Sequence, residues 1–436
     1  MKIKGNSAQD IQDNIRTLIN EGQLNEGDFL PSVRELAEQL GLNRNTVAAA
    51  YKSLVSMGIV VSKGRLGTQV KSKQSFRISE GFQALNEGTV DLAHGNPHRE
   101  WLPTLSQINF GHLNSSLYGE NIYHAELLNI AQQQVFADLP QPFSIEFTYG
   151  AVDAIERILA AYLVPSDLVA VEQPGFITSI SAIEHQQFKM QPFTVRSNGF
   201  VLDTIEQALY AGAQALIITP RAQNPTGYSL DRTQAEKISK LLENYPHVLV
   251  IVDDHFSVLS QTCYQHIIPT TTKHWAVVRS VSKYLSPDFR FAFVGCDAET
   301  SDRLRRKLNA GSTWVSHIIQ EMVFQLFSAE KFSVNLNQAK SYYQQQNQKI
   351  VQYLQQFNIP CAMHYDGLNI WLELPHADKI SKILSQRGWL VRSGRDFSVN
   401  QEIEGIRIST ADMTEQQMKD FCQQFEQIYQ VIIRVC

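Results

Sequence analysis

A chain of 436 residues, 43% hydrophobic and 19% charged, has the composition of a soluble globular protein and is too long for one ordinary core, so two or three domains are expected. Its formal charge of −5 provides no overall attraction to nucleic acid or anionic membrane, so any DNA contact has to come from a local basic surface. The opening "MKIKGNSAQD" lacks a signal-peptide core, and no apolar run is long enough to span a bilayer. The five cysteines (Cys263, Cys296, Cys361, Cys422, Cys436) are scattered without a CxxC pair. Together these features predict a cytoplasmic protein with reduced thiols, no disulfide scaffold and no metal site.

The first elements are helical. Ile11, Ile15, Leu18 and Ile19 recur on one face of a first helix. A second begins in "PSVRELAEQL", where Ser32 and Glu35 form a capping box before Val33, Leu36, Ala37 and Leu40. Gly41 ends it, and Asn43 can cap a third, "RNTVAAAYKSLVSM". The stretch "GIVVSKGRLGTQV" predicts a hairpin turning at Lys63-Gly64. Helix, turn, helix, hairpin is the layout of a winged helix-turn-helix. Arg44, Asn45 and Thr46 would open the recognition helix, where side chains meet bases and phosphates. Arg65 and Gly67 would sit in the wing, where glycine admits close approach and arginine can enter a minor groove. A three-helix bundle used for protein contacts explains the helices alone; the basic, glycine-bearing wing favours DNA. This domain takes residues 1–70, and the polar stretch 71–88 reads as a linker.

From about residue 120 the pattern changes. Apolar runs "DLVAVE", "ALIIT", "VLVIVDD", "WAVVRSV" and "RFAFVG" alternate with helical stretches such as "LDTIEQALYAGA" and "TQAEKISKLLENY". That alternation predicts a doubly wound, mostly parallel sheet covered on both faces, with ligands beyond the carboxyl ends of its strands. The glutamine-rich "SYYQQQNQKIVQYLQQF" places Ile350, Leu354 and Phe357 at helical spacing and reads as a solvated helix.

The strand ends carry an unusual set. Gly150 opens a helix whose first amides belong to Ala151 and Val152, and Phe176 follows "VEQPG". Gln223, Asn224 and Gly227 follow "ITPRA"; Asp253, Asp254 and His255 end another run. Ser280, Ser282, Lys283 and Arg290 lie between the last two apolar runs. Each has a bland explanation alone: a turn, a snorkelling lysine, a solvated edge, a packing ring. One ligand explains them together. Pyridoxal phosphate needs an amine for its aldehyde, donors for a dianionic phosphate, a carboxylate for its ring nitrogen and a flat surface for its ring.

Two resemblances sharpen this. "LPSVRELAEQLGLNRNTVAAAYKSLVSMGIVVSKGRLGTQV" resembles the DNA-binding domain of the GntR regulators, which implies DNA contacts at Arg34, Arg44, Thr46 and Gly67. Residues 89–436 resemble fold type I pyridoxal-phosphate enzymes of the aspartate-aminotransferase superfamily. Their "S-SK--P--R" motif stands here as Ser280, Ser282, Lys283, Pro287 and Arg290, and their "NPTG" as Asn224 to Gly227. The resemblance implies a large α/β part over about 119–330 and a smaller C-terminal α+β part over about 331–436 joined by 89–118. It implies a Schiff base at Lys283, and a phosphate held by Ser280, Ser282, Arg290 and the amides of Ala151 and Val152. Phe176 would stack on the ring, Asn224 face its hydroxyl and Asp253, rather than Asp254, pair with its nitrogen. Arg407 in "GIRIST" would receive a carboxylate, and Tyr118 would reach a neighbouring subunit's phosphate. His255 stands where most relatives carry a tyrosine, and Phe291-Ala292 replaces the usual glycine after the arginine.

The whole chain resembles the MocR-type regulators, which implies a homodimer on a double-stranded operator, responding to pyridoxal phosphate or an amino compound. The alternative is an active aminotransferase with an accessory DNA domain. The fused winged helix favours regulation, with any activity a residual half-reaction.

Overall fold

The computed structural model describes residues 3–71, 88–112, 115–399 and 403–435, so nearly all of the expected linker lies outside the described residues. The chain divides into two compact units, Met1–Arg77 and Ile78–Cys436.

In the first unit, α1 (Ala8–Asn20), α2 (Val33–Leu40) and α3 (Arg44–Ser56) precede a hairpin of β1 (Val60–Ser62) and β2 (Thr68–Val70). Local signals set the ends. Ser32 and Glu35 close both hydrogen bonds of a capping box, Gly41 terminates α2 at φ 68, and Asn43 caps α3. Ile11, Ile15, Leu36, Val47, Ala50 and Leu54 are wholly buried between the helices. One pairing is not visible in the sequence: the Leu30 amide donates to Thr68 O and the Val70 amide to Asp28 O, each at 2.8 Å, lining residues 28–30 along the wing. Those few residues are too short to show a period of two.

The second unit is built on an eight-stranded sheet. Its strands are β3 (Ser144–Thr148), β4 (Leu168–Gln173), β5 (Lys189–Arg196), β6 (Gly199–Phe200), β7 (Ala215–Ile218), β8 (Leu249–Asp253), β9 (Trp275–Ser280) and β10 (Ala292–Cys296), in the order β3-β10-β9-β8-β7-β4-β5-β6. Pairing is parallel from β9 to β5 and antiparallel at both margins. Alternate residues face two cores: Val250, Val252 and Val277 pack on one side, Leu249, Ile251 and Val278 on the other. Covered on both faces, these strands read as continuous apolar runs.

The antiparallel return of β10 matters for the site. Its first residues lie at the edge where the parallel strands end. Arg290 does not open that strand, as the run "RFAFVG" suggests. It caps the turn Pro287–Phe289 in the left-handed region at φ 45, and the strand starts at Ala292.

A smaller antiparallel sheet of β11 (Asn369–Glu373), β12 (Arg392–Ser393) and β13 (Gly405–Ser409), ordered β11-β13-β12, packs with the helices Ala377–Gln386 and Glu415–Val435. Val90–Asp91 pairs in parallel with Trp389–Leu390, and the Ser409 amide donates to Leu92 O at 2.8 Å. Further along, Ile108 packs into the core of the large sheet. Among the described residues no helix is long and apolar enough to cross a membrane.

Candidate functional site

In the first unit, Arg44 and Asn45 are the first two residues of α3 and are exposed, with Thr46 half-buried behind them. The Asn43 side chain accepts the Asn45 amide at 2.8 Å, so the cap itself fixes where this turn begins. Arg34 on α2 pairs with Glu38 at 3.1 Å, with both side chains largely solvated. Such a pair yields readily to a phosphate, since exposed pairs contribute about 1 kcal/mol or less. Arg65 is exposed on the Gly64–Leu66 turn, and Gly67 follows at φ 108, a conformation suited to glycine.

In the second unit the named residues gather at one edge of the large sheet. Ser280 ends β9; its hydroxyl accepts the Ser282 amide at 3.2 Å and lies 2.9 Å from the Ser282 hydroxyl. The Arg290 guanidinium donates to Tyr149 O at 3.4 Å and lies against Gly150. A Cβ on Gly150 would stand 2.7 Å from Arg290 Nη2, and Gly150 has φ 101. Its backbone conformation calls for glycine, and a side chain there would displace the Arg290 guanidinium. Behind it begins the helix Ala151–Tyr162, which we label α4. Its first amides, those of Ala151 and Val152, have no intrahelical acceptor and carry the positive end of the helix dipole. Two hydroxyls, an arginine and a helix start are groups suited to hold an anion at this edge.

The adjacent carboxylates have different surroundings. Asp254 is wholly buried, and its oxygens accept from Arg221 Nε and from Arg279 Nε, each at 2.8 Å, with Arg221 Nη2 also bound. Arg279 goes on to Asp138 at 2.7 and 2.9 Å, and both guanidiniums lie over the Tyr264 ring. This carboxylate is committed to two cations and ties together the ends of β7, β8 and β9. Asp253 is different. It is 4% exposed, and its Oδ1 is buried without a hydrogen-bond partner. Burial, helped by the Asp254 charge, pushes its carboxyl up to about 7, against a smaller lowering by Lys283. His255 approaches Asp253 Oδ1 at 3.7 Å through Nδ1, and its ring lies nearly parallel to that of Phe176.

A second network supports the neighbouring loop. Glu172, buried at the end of β4, accepts from the Thr219 hydroxyl at 3.0 Å and from Gln223 Nε2 at 2.9 Å. Burial pushes Glu172 up to about 8, with these donors pulling the other way. Gln223 in turn accepts the Thr226 amide at 3.0 Å, which fixes the loop carrying Asn224. Arg407, on β13 and wholly buried, donates to Asn224 Oδ1 at 3.0 Å and to Ala93 O, with its guanidinium over Phe397. Lys283 Nζ donates to Gly95 O at 2.7 Å. Residues 93–95 therefore contact both Arg407 and Lys283. Tyr118 stands apart, 91% exposed and edge-on to Trp314.

Sequence reasoning missed Arg221, Arg279, Glu172 and the 93–95 backbone. Arg279 left a signal: a charge inside the otherwise apolar run "WAVVRSV" must be paired if that strand is buried.

These residues suit pyridoxal phosphate. Asp253 Oδ1 is a buried acceptor lacking a donor, Gly150 keeps an anion cradle open, and Lys283 supplies an amine close enough to Asp253 to influence its titration.

Residues 82–425 match the family model of class I and II aminotransferases, and residues 7–70 that of the gntR family of bacterial regulatory proteins. The chain is 42% identical to the vitamin B6 salvage pathway transcriptional repressor PtsJ of Salmonella typhimurium, over 95% of this chain and 97% of that one. It is 22% identical to the probable rhizopine catabolism regulatory protein MocR of Rhizobium meliloti, over 78% and 76% respectively. Among solved structures, the multiple substrate aminotransferase of Thermococcus profundus aligns with TM-score 0.72 at 16% identity, covering 80% of this chain and 93% of that one. LysN, the α-aminoadipate aminotransferase of Thermus thermophilus, complexed with N-(5'-phosphopyridoxyl)-L-leucine, aligns with TM-score 0.70 at 19% identity, covering 80% and 94%. The chain belongs to the MocR-type regulators, in which a gntR-family DNA reader is fused to a class I and II aminotransferase domain.

Proposed function

We propose that this chain is a transcriptional regulator that binds an operator in duplex DNA through its first unit and takes up pyridoxal 5'-phosphate at Lys283 in its second. The observation that carries the reading is the convergence at one sheet edge of an amine, a donorless buried carboxylate oxygen and an anion cradle, in a chain that also holds a gntR-type reader.

On this reading each residue has a distinct task. The Lys283 amine captures the aldehyde. The Ala151 and Val152 amides, Ser280, Ser282 and Arg290 hold the phosphate. Asp253 would accept a hydrogen bond from the protonated ring nitrogen, Phe176 would cover a ring face, and Asn224 would meet the ring hydroxyl. The bound group would supply an electron sink. In the first unit, Arg44, Asn45 and Thr46 face the major groove, Arg65 and Gly67 the minor groove, and Arg34 a phosphate.

The outer nitrogens of Arg407 meet Asn224 and Ala93. That engagement favours the vitamer itself as effector over an amine bearing a carboxylate, as does the role in the name of the Salmonella relative. The chain acts in the cytoplasm as a homodimer reading two half-sites, with Tyr118 extended toward the neighbouring subunit. A ligand that binds one arrangement of the protein better shifts the population and so the DNA affinity.

The test uses the full chain with pyridoxal 5'-phosphate and operator DNA. The wild type should develop a visible absorption band that Lys283→Ala lacks, and the ligand should change DNA affinity in the wild type alone. A band retained in Lys283→Ala would refute the anchor. DNA affinity that ignores the ligand in both proteins would refute the sensing.

A further inference from the structure

Phe176 and His255 hold their rings within 16° of parallel, with centroids 6.4 Å apart. Near-parallel rings at that distance lie within the range of offset stacking, about 4.5–7 Å between centroids. A third flat ring between them needs roughly 7 Å, two face contacts of about 3.5 Å each. Parting of the two near-parallel rings would admit it. Both walls are built in: Phe176 directly precedes the helix Ile177–His185, and His255 lies two residues beyond the end of β8 with its side chain 17% exposed.

The edge of this slot is equally specific. The buried oxygen that lacks a hydrogen-bond donor, Asp253 Oδ1, lies 3.7 Å from His255 Nδ1. An imidazole in its charged form pairs with that carboxylate; in its neutral form it leaves the oxygen to another donor.

We infer that His255 forms the second face of the ring slot and competes with the ring nitrogen of the bound aldehyde for Asp253, so that this histidine sets how uptake depends on pH. This rests on the cofactor reading above and deepens it. Among the described residues, charged groups flank the pair from its own strand end and from neighbouring ones. Asp254, next in sequence, is held by Arg221 and Arg279. Lys283 from the neighbouring strand end acts electrostatically on Asp253, and Asp253 acts on Glu172 of β4. Since Asp254 is already paired, the balance at Asp253 Oδ1 falls to His255, Lys283 and the ligand.

The experiment measures pyridoxal 5'-phosphate affinity by absorption from pH 5.5 to 8.5 for full-length wild type, His255→Phe and His255→Ala. At pH 8, His255→Phe keeps a flat wall and should bind within about threefold of wild type, whereas His255→Ala should bind about three- to tenfold more weakly. On acidification all three lose affinity through the lysine and the phosphate. The wild type should lose up to about tenfold more per pH unit than either variant, the effect of one additional proton. Tryptophan emission reports folding, since all five tryptophans lie in this unit. Equal affinities and equal pH slopes in the three proteins would overturn the inference while leaving the cofactor reading intact. A wild type without any band would overturn both.

Discussion

Asp253→Asn keeps the shape of a buried side chain and removes its charge. In the folded chain, burial and the neighbouring Asp254 raise this carboxyl from 3.8 to about 7. Below 3.8 both folded and unfolded chains hold the proton, and its position costs nothing. Between 3.8 and about 7 only the unfolded chain releases it, so rising pH destabilises the fold by about 1.4 kcal/mol per pH unit. Above about 7 the penalty is complete, at most about 4 kcal/mol. Asparagine has no such penalty. The ligand-free variant should therefore gain stability over wild type as pH rises from 4 to 7, and the gain should then level off. A constant offset from its amide, which needs an acceptor, leaves that slope unchanged. Urea denaturation followed by tryptophan emission isolates the second unit, because residues 1–77 contain no tryptophan. A difference that stays flat from pH 4 to 8 would refute the raised carboxyl. With pyridoxal 5'-phosphate present the order should reverse, since the same change removes the ring-nitrogen partner.

Gly150→Ala places a methyl 2.7 Å from Arg290 Nη2 at φ 101; it should cost about 1–3 kcal/mol of stability and weaken cofactor uptake, and unchanged uptake would remove Gly150 from the cradle. Asp254→Ala leaves two buried guanidiniums without their shared carboxylate and should destabilise the second unit by about 3–5 kcal/mol in the same urea assay. Arg44→Ala should lower DNA affinity and relax sequence preference while leaving the visible band intact; unchanged affinity and preference would place Arg44 away from the major groove.

The first unit was legible because its signals act within a few residues: Ser32 on Glu35, Asn43 on Asn45, Gly41 at the end of its own helix. The central strands were legible because burial on both faces writes an uninterrupted apolar run. β3 was hidden by Glu146, a buried acid satisfied by Ser301 and Arg305, 155 and 159 positions away. The partly polar β5 was hidden by its lack of a clean run. Similarly, "S-SK--P--R" exposes Lys283 and its neighbours, whereas the ties from Asp254 to Arg221 and Arg279 span 33 and 25 positions and follow no spacing rule. Arg290 was read as opening the last strand, which instead starts at Ala292, because the Pro287–Phe289 turn sets its left-handed backbone.

The pairing of Val90–Asp91 with Trp389–Leu390 has a mechanical meaning. Among the described residues that follow the first unit, the earliest strand pairing is made with the smaller lobe. Within the same six-residue stretch, Ala93 meets Arg407 and Gly95 meets Lys283. Any motion of the smaller lobe carries Val90 with it. The backbone that touches Lys283 therefore belongs to the same short stretch that pairs with the smaller lobe, so the two move together.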